Sequence, residues 1–241
     1  MASLVLNQAE RRNPHSPYLW EQLALVPEQL TSDVRVVVVR GEGPSFSAGL
    51  DRRMFSSKGI PGQPSLLDLA GAAEFDTTVA GFQSAFSWLR DPARITVAAV
   101  QGHAVGAGLQ LALACDLRIV TDDVSLSMKE TTLGLVPDLG GTQPLVDCIG
   151  YARALELCVT GRAMGAAEAV ASGLALRSVP VEELAEATDA LVESLLVAPL
   201  GAVQATKALL LSASRNDYPT QLAAERAAQA GRITALARLL C

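Results

Sequence analysis

The sequence has few aromatics, 4 % of its 241 residues, and only two histidines, His15 and His103. With so few histidines, and no HExxH or comparable spacing, no histidine-built metal centre is indicated and no metal is expected. Both histidines read as structural. There is no GxSxG elbow either, since Ser45 is followed two residues on by Ser47 rather than glycine. The cysteines, Cys115, Cys148, Cys158 and Cys241, form no CxxC pair, which fits a chain kept reduced in the cytoplasm. Basic residues are outnumbered, 19 against 25 acidic, for a net charge of −6. That balance offers no positive field to phosphates, so no nucleic-acid partner is expected. No uninterrupted apolar run approaches the ~18 residues of a membrane helix. Met1–Gln8 lacks the basic start and long apolar stretch of a signal peptide, so neither a membrane nor export is expected.

What the chain does have is apolar mass: hydrophobic residues make up 50 % and charged ones 18 %. That composition buries a full core and excludes wholesale disorder. The length fits one large domain, or one domain with a small appendage. Strand and helix signals alternate. Val34–Val39 is a continuous β-branched run that reads as a strand buried on both faces, and Ile95–Val100 reads the same way. Leu117–Val120, Val124–Met128 and Leu174–Val179 are shorter strand candidates. Helices are expected over Phe75–Leu89, Ala107–Cys115, Thr142–Ile149, Ala152–Val159, Ala166–Ala171, Val181–Val197 and Gly201–Ser214, with a last one from about Pro219. Pro14 and Pro17 leave the start of a first helix unplaced. Residues Arg52–Ala70, with Gly59, Pro61, Gly62 and Pro64, read as a mobile loop or lid. The pattern is that of an α/β core over 1–180 followed by a helical region over 181–241.

Two glycine-containing turns follow buried strands: Phe46-Ser47-Ala48-Gly49-Leu50-Asp51, and Gly102-His103-Ala104-Val105-Gly106-Ala107-Gly108. A dinucleotide fingerprint does not account for Gly41-Glu42-Gly43, because Phe46 stands where a glycine or alanine is needed. Two such turns supply two backbone N–H donors for one oxygen, which is what an enolate-stabilising hole requires. Glu130 follows a strand, and Asp138 lies eight residues on, across the apolar Leu133-Gly134-Leu135-Val136. A carboxylate beside such a segment is either an ordinary turn glutamate in water, the reading the local sequence favours, or one partly desolvated, whose pKa rises towards that of a useful base.

These segments resemble the crotonase superfamily, the enoyl-CoA hydratases and isomerases. The matching residues are Glu10–Asn13, Phe46–Asp51, Val100–Asp116, Gly134–Pro137 with Gly140-Gly141-Thr142, and Leu157–Gly161 followed by Gly173-Leu174. The resemblance implies a spiral of ββα units closed by a C-terminal helical trimerisation region, and assembly as a homotrimer or homohexamer. It implies an acyl-CoA thioester as substrate and no separate cofactor, coenzyme A being part of the substrate. Leu50 and Ala107 match the oxyanion-hole donors. Ala48, Asp51 and Arg53 match the stretch beside CoA, and Lys207 is a further phosphate candidate or else part of a solvated helix face. Glu130 matches one of the two hydratase glutamates; the other position holds Gln110, an amide that cannot take up and return a proton. Gln110 is expected at most to orient a water. Asp138 matches an aspartate of dienoyl-CoA isomerases, as a second proton carrier or a charge acting on Glu130. The resemblance therefore favours double-bond isomerisation with Glu130 as base. Hydration by Glu130 with Asp138 or Gln110, or acyl-CoA binding without turnover, are its alternatives. A Ser-His-Asp hydrolase on the same spiral lacks its nucleophile and histidine here. Acyl specificity is expected from the Arg52–Asp76 segment and from Phe82, Phe86, Leu133 and Leu139. Relative to the family pattern the chain reads as trimmed at both ends, starting almost on Leu4–Asn7 and stopping at Cys241.

Overall fold

A computed structural model describes residues 1–56, 58–63, 65–69 and 73–240. Ser57, Pro64 and Ala70 of the expected loop, Gly71 and Ala72 after it, and Cys241 lie outside the described residues.

The chain winds through four strand–strand–helix turns. The first is β1 (Ala2–Leu6), β2 (Pro14–His15) and α1 (Pro17–Gln29). The second is β3 (Val36–Gly41), β4 (Gly49–Leu50), the single turn α2 (Leu66–Leu69) and α3 (Phe75–Ser87). The third is β5 (Ile95–Val100), β6 (His103–Val105) and α4 (Ala107–Ala114). The fourth is β7 (Leu117–Thr121) and β8 (Ser125–Ser127), followed by α5 (Thr142–Ile149), α6 (Tyr151–Thr160) and α7 (Ala166–Ala171). Then β9 (Arg177–Val179) leads into α8 (Leu184–Leu196), α9 (Leu200–Ala213) and α10 (Tyr218–Leu240). The first strands of successive turns pair in parallel in the order β1-β3-β5-β7-β9. The second strands pair β2 with β4 and β6 with β8, also in parallel, and a Ser47–Ala104 bridge links the two pairs. This is the expected ββα spiral.

Helical crossovers cover both faces of the main sheet, which is why its strands are continuously apolar. Val36 and Val38, with Val97 and Ala99, pack on α8 through Val192. Val39, Ala98 and Val100 point the other way, into the main core around α4. The valine run begins pairing at Val36, two residues later than its composition suggests, and continues through Arg40 to Gly41. The prolines near residue 15 start α1 rather than disturb it. Pro17 is in its first turn, where a missing N–H costs nothing, and the Ser16 side chain accepts from Leu19 N at 3.3 Å. Among the described residues no single helix is long and apolar enough to cross a membrane.

Candidate active site

Two turns distant in sequence meet at the N-terminus of α4. Asn13 is buried and donates from Nδ2 to the carbonyls of Glu42, Ser45 and Phe46 at 2.9, 2.9 and 3.1 Å. Its own carbonyl accepts from Ser47 Oγ at 2.8 Å, and that hydroxyl oxygen accepts from Gly49 N at 3.1 Å. These bonds lay β4 against the start of α4. Gly49 has φ 81°, and a Cβ there would stand 2.3 Å from the Val105 carbonyl oxygen and 3.7 Å from Ala107 N. Glycine alone permits both the conformation and the approach. Ala107 opens the helix behind Gly106, so its N–H has no intrahelical acceptor. The backbones around Leu50 and Ala107 are thus brought side by side, with Ala48 exposed next to them.

Gln110 lies one turn along α4 from Ala107 and is 1 % exposed. Its side-chain oxygen accepts from Leu139 N at 2.9 Å and Gly141 N at 3.2 Å. Both partners are donors, so the amide orientation is fixed by chemistry and the NH2 group must point the other way. It points at Glu130 and donates to Oε1 at 2.7 Å. Glu130 opens a 3-10 turn, Glu130–Leu133, directly after β8. It lies over Gly106, whose φ is 50° and where a Cβ would come within 3.2 Å of Oε1. Its Oε2 is buried and has no hydrogen-bond partner among the described residues. Burial raises the Glu130 carboxyl pKa; the Gln110 hydrogen bond opposes this, and the negative charge of Asp138 adds to it. Desolvation raises the Asp138 carboxyl too. The Asp138 carbonyl accepts from Gln83 Nε2 of α3 at 2.7 Å. The structure therefore assembles Gln110, Glu130 and Asp138 at the N-terminal end of α4. It ties Gln110 to Glu130 directly and spends the amide oxygen on backbone, leaving one amide N–H for any water.

The other expected residues divide. Asp51 is buried and caps the 3-10 turn Arg52–Phe55. Burial alone would raise its carboxyl, but hydrogen bonds from Arg53 and Arg11 outweigh this and hold it at about 2. Asp51 thereby holds the partly exposed guanidinium groups of Arg53 and Arg11, each at 2.8 Å. Lys207 requires a correction. It neither faces solvent nor reaches this site: 5 % exposed, it donates to the Arg94 carbonyl at 2.7 Å and to Asp116 Oδ2 at 2.8 Å, at the far end of α4. A cavity of about 610 Å3 lies there, lined by Cys115, Asp116, Cys148, Val203, Lys207 and Leu210 among others; Gln110, Glu130 and Asp138 are not on its walls. Cys115 is buried, which pushes its thiol up to about 12. His15 is a core residue: burial lowers its pKa to about 3, and Nδ1 accepts from Trp20 Nε1 at 3.0 Å. Phe82 and Phe86 are buried in the same cluster against Trp20, and Leu139 is buried too, whereas Leu133 is exposed.

Sequence reading alone missed Arg11, Gln83 and the donors Leu139 N and Gly141 N. Gly140-Gly141 signals a backbone turn, but nothing local shows which side chain that turn embraces.

A family model described as enoyl-CoA hydratase/isomerase matches residues 1–235. A Thermobifida fusca protein solved in complex with CoA is 48 % identical, with a TM-score of 0.92, covering 98 % of this chain and 90 % of that one. The same identity and TM-score hold for the acetoacetyl-CoA complex, which covers 96 % and 91 %. The probable enoyl-CoA hydratase echA8 of Mycobacterium bovis is 31 % identical over 75 % of this chain. The match spans 66 % of that protein, just under two thirds. The rat mitochondrial Delta(3,5)-Delta(2,4)-dienoyl-CoA isomerase is 33 % identical over 74 % of this chain and 55 % of its own length.

Proposed function

The chain belongs to the enoyl-CoA hydratase/isomerase family, and from that premise we propose that it moves a double bond within an enoyl-CoA thioester, with Glu130 as the proton carrier. In this reading the N–H groups of Leu50 and Ala107 hold the thioester oxygen. Glu130 removes a proton from C2 of a 3-enoyl-CoA. The electron pair spreads into a dienolate whose charge rests on the held oxygen. The proton then returns from Glu130 to C4, leaving the 2,3 double bond. Each preorganised donor of this kind is worth about 3–4 kcal/mol of transition-state stabilisation. Arg11 and Arg53, presented by Asp51, are the cations for the CoA phosphates. The Thermobifida fusca complexes with CoA and acetoacetyl-CoA support an acyl-CoA substrate.

One observation carries the choice of isomerisation: the locked amide of Gln110. Two-carboxylate water addition needs a second group that takes up and returns a proton. At position 110 stands a donor with its oxygen clamped by two backbone N–H groups. Isomerisation needs a single carboxylate with one free oxygen, and Glu130 has Oε2. Hydration with Asp138 as the second carboxylate is the competing reading, and the raised Asp138 carboxyl favours it. A panel of 2-enoyl-, 3-enoyl- and dienoyl-CoA substrates with product analysis separates the two. Double-bond movement that Glu130→Gln abolishes is expected; water addition as the main turnover would favour the second reading, and binding without turnover would refute both.

We also infer self-association. Tyr151, Leu155 and Val159 stand exposed at i, i+4 and i+8 along α6, a continuous apolar stripe. Light scattering is expected to give a multiple of the 25.2 kDa chain mass.

A further inference from the structure

The carbonyl of Asp138 and the N–H of Leu139 belong to one peptide unit, and two side-chain amides grip it from opposite sides. Gln83 Nε2, reaching across from α3, donates to the carbonyl at 2.7 Å. Gln110 Oε1, on α4, accepts from the N–H at 2.9 Å and from Gly141 N at 3.2 Å. A peptide unit is rigid and planar, so holding both of its polar ends fixes its rotation. That unit carries the Asp138 Cα in its plane, so holding it anchors the point from which the Asp138 side chain leaves the backbone. The segment Leu135–Gly140 is largely exposed around the buried Leu139, and contributes no regular secondary structure to hold Asp138.

We propose that Gln83 is a positioning residue for Asp138: together with Gln110 it fixes the Asp138–Leu139 peptide and so anchors the backbone that carries the Asp138 charge beside Glu130. The inference rests on the proposed role of Glu130 as proton carrier, with Asp138 as a charge acting on it, and adds a residue to them. Gln83 acts through Asp138 and needs no contact with the substrate. It also ties α3, which begins at the end of the Arg52–Asp76 segment, to the peptide that carries Asp138. An amide suits the task, because a backbone carbonyl needs a neutral or cationic donor, and a cation there would offset the charge of Asp138. Among the described residues Cys158 of α6 also faces Glu130, its thiol raised by burial and by the Glu130 charge, and the backbone of Lys129 donates a hydrogen bond to the carboxyl. Gln83 makes no hydrogen bond to either of them.

The test is a double-mutant cycle on the full-length protein, read on the acid limb of kcat/KM against pH. Asp138→Asn removes a charge that raises the Glu130 pKa, so the limb is expected to move to lower pH. Gln83→Leu, at an exposed position where folding is not at stake, is expected to move the same limb the same way by a smaller amount, with kcat falling more than KM changes. In the Asp138→Asn background Gln83→Leu is expected to add no further shift, because coupled residues are not additive. An equal Gln83→Leu shift in both backgrounds, or none in the wild type, overturns the inference. A limb that Asp138→Asn leaves in place overturns the role given to Asp138, and the inference with it. Thermal unfolding of Gln83→Leu close to the wild type is expected, and a pH limb displaced only in a destabilised protein counts against positioning.

Discussion

At the C-terminal end of α4, Asp116 accepts from Thr96 N, from Thr96 Oγ1 and from the ammonium of Lys207, which in turn donates to two backbone carbonyls. At the N-terminal end, Glu130 receives one bond from Gln110 and keeps a buried oxygen without any partner among the described residues. Both ends of one eight-residue helix take charge out of water. One saturates it with opposite charge and hydrogen bonds, as burial requires. The other leaves a carboxylate partly unsatisfied and desolvated, with a raised pKa. The difference separates a charge used to hold the fold from a charge kept ready to accept a proton.

The comparison breaks most visibly in stability. Lys207→Met leaves Asp116 without its cation in a largely buried setting, and is expected to cost about 3–5 kcal/mol. Urea unfolding should show this as a lower midpoint at unchanged slope. Glu130→Gln is expected to do the reverse. Activity falls by about 10²–10⁴-fold with loss of the proton carrier. Stability, however, should be no lower than in the wild type and should rise relative to it with pH. A carboxyl whose folded-state pKa is raised favours folding only while protonated, and that contribution is lost as pH rises through the folded value. The amide has no such loss, so thermal melts of the two proteins should diverge between mildly acidic and neutral pH. A smaller effect is expected from Gln110→Ala. It removes the hydrogen bond that holds the Glu130 carboxyl down, so the acid limb of the activity profile should move to higher pH, opposite in sign to Asp138→Asn.

The sequence made some of this comparison legible. A continuous apolar run or a helical periodicity announces itself, and the strand Ile95–Val100 and the helices Thr142–Ile149 and Ala166–Ala171 fall where their patterns place them. The apolar neighbours of Glu130 leave it as readily a solvated turn residue as a desolvated one; only the family resemblance singles it out, and the structure supplies its burial. The two-residue strands β2 and β4 could not, because they have no internal periodicity and exist only through pairing across the spiral. Lys207 illustrates the same limit. Its partner Asp116 is 91 residues away, and on its own helix the lysine carries no sign that it is buried. The locked orientation of Gln110 depends on two N–H groups 29 and 31 residues distant. Residue types at motif positions are local information; the partner that decides whether a side chain is spent or free is not.

In the proposed reaction Glu130 moves a proton along the substrate and no second carboxylate adds water. Turnover of a 3-enoyl-CoA by the wild-type protein in ¹⁸O-labelled water tests it most directly. Accumulation of 2-enoyl-CoA without label is the expected result; no turnover of the 3-enoyl-CoA, together with labelled 3-hydroxyacyl-CoA formed from a 2-enoyl-CoA, would contradict it.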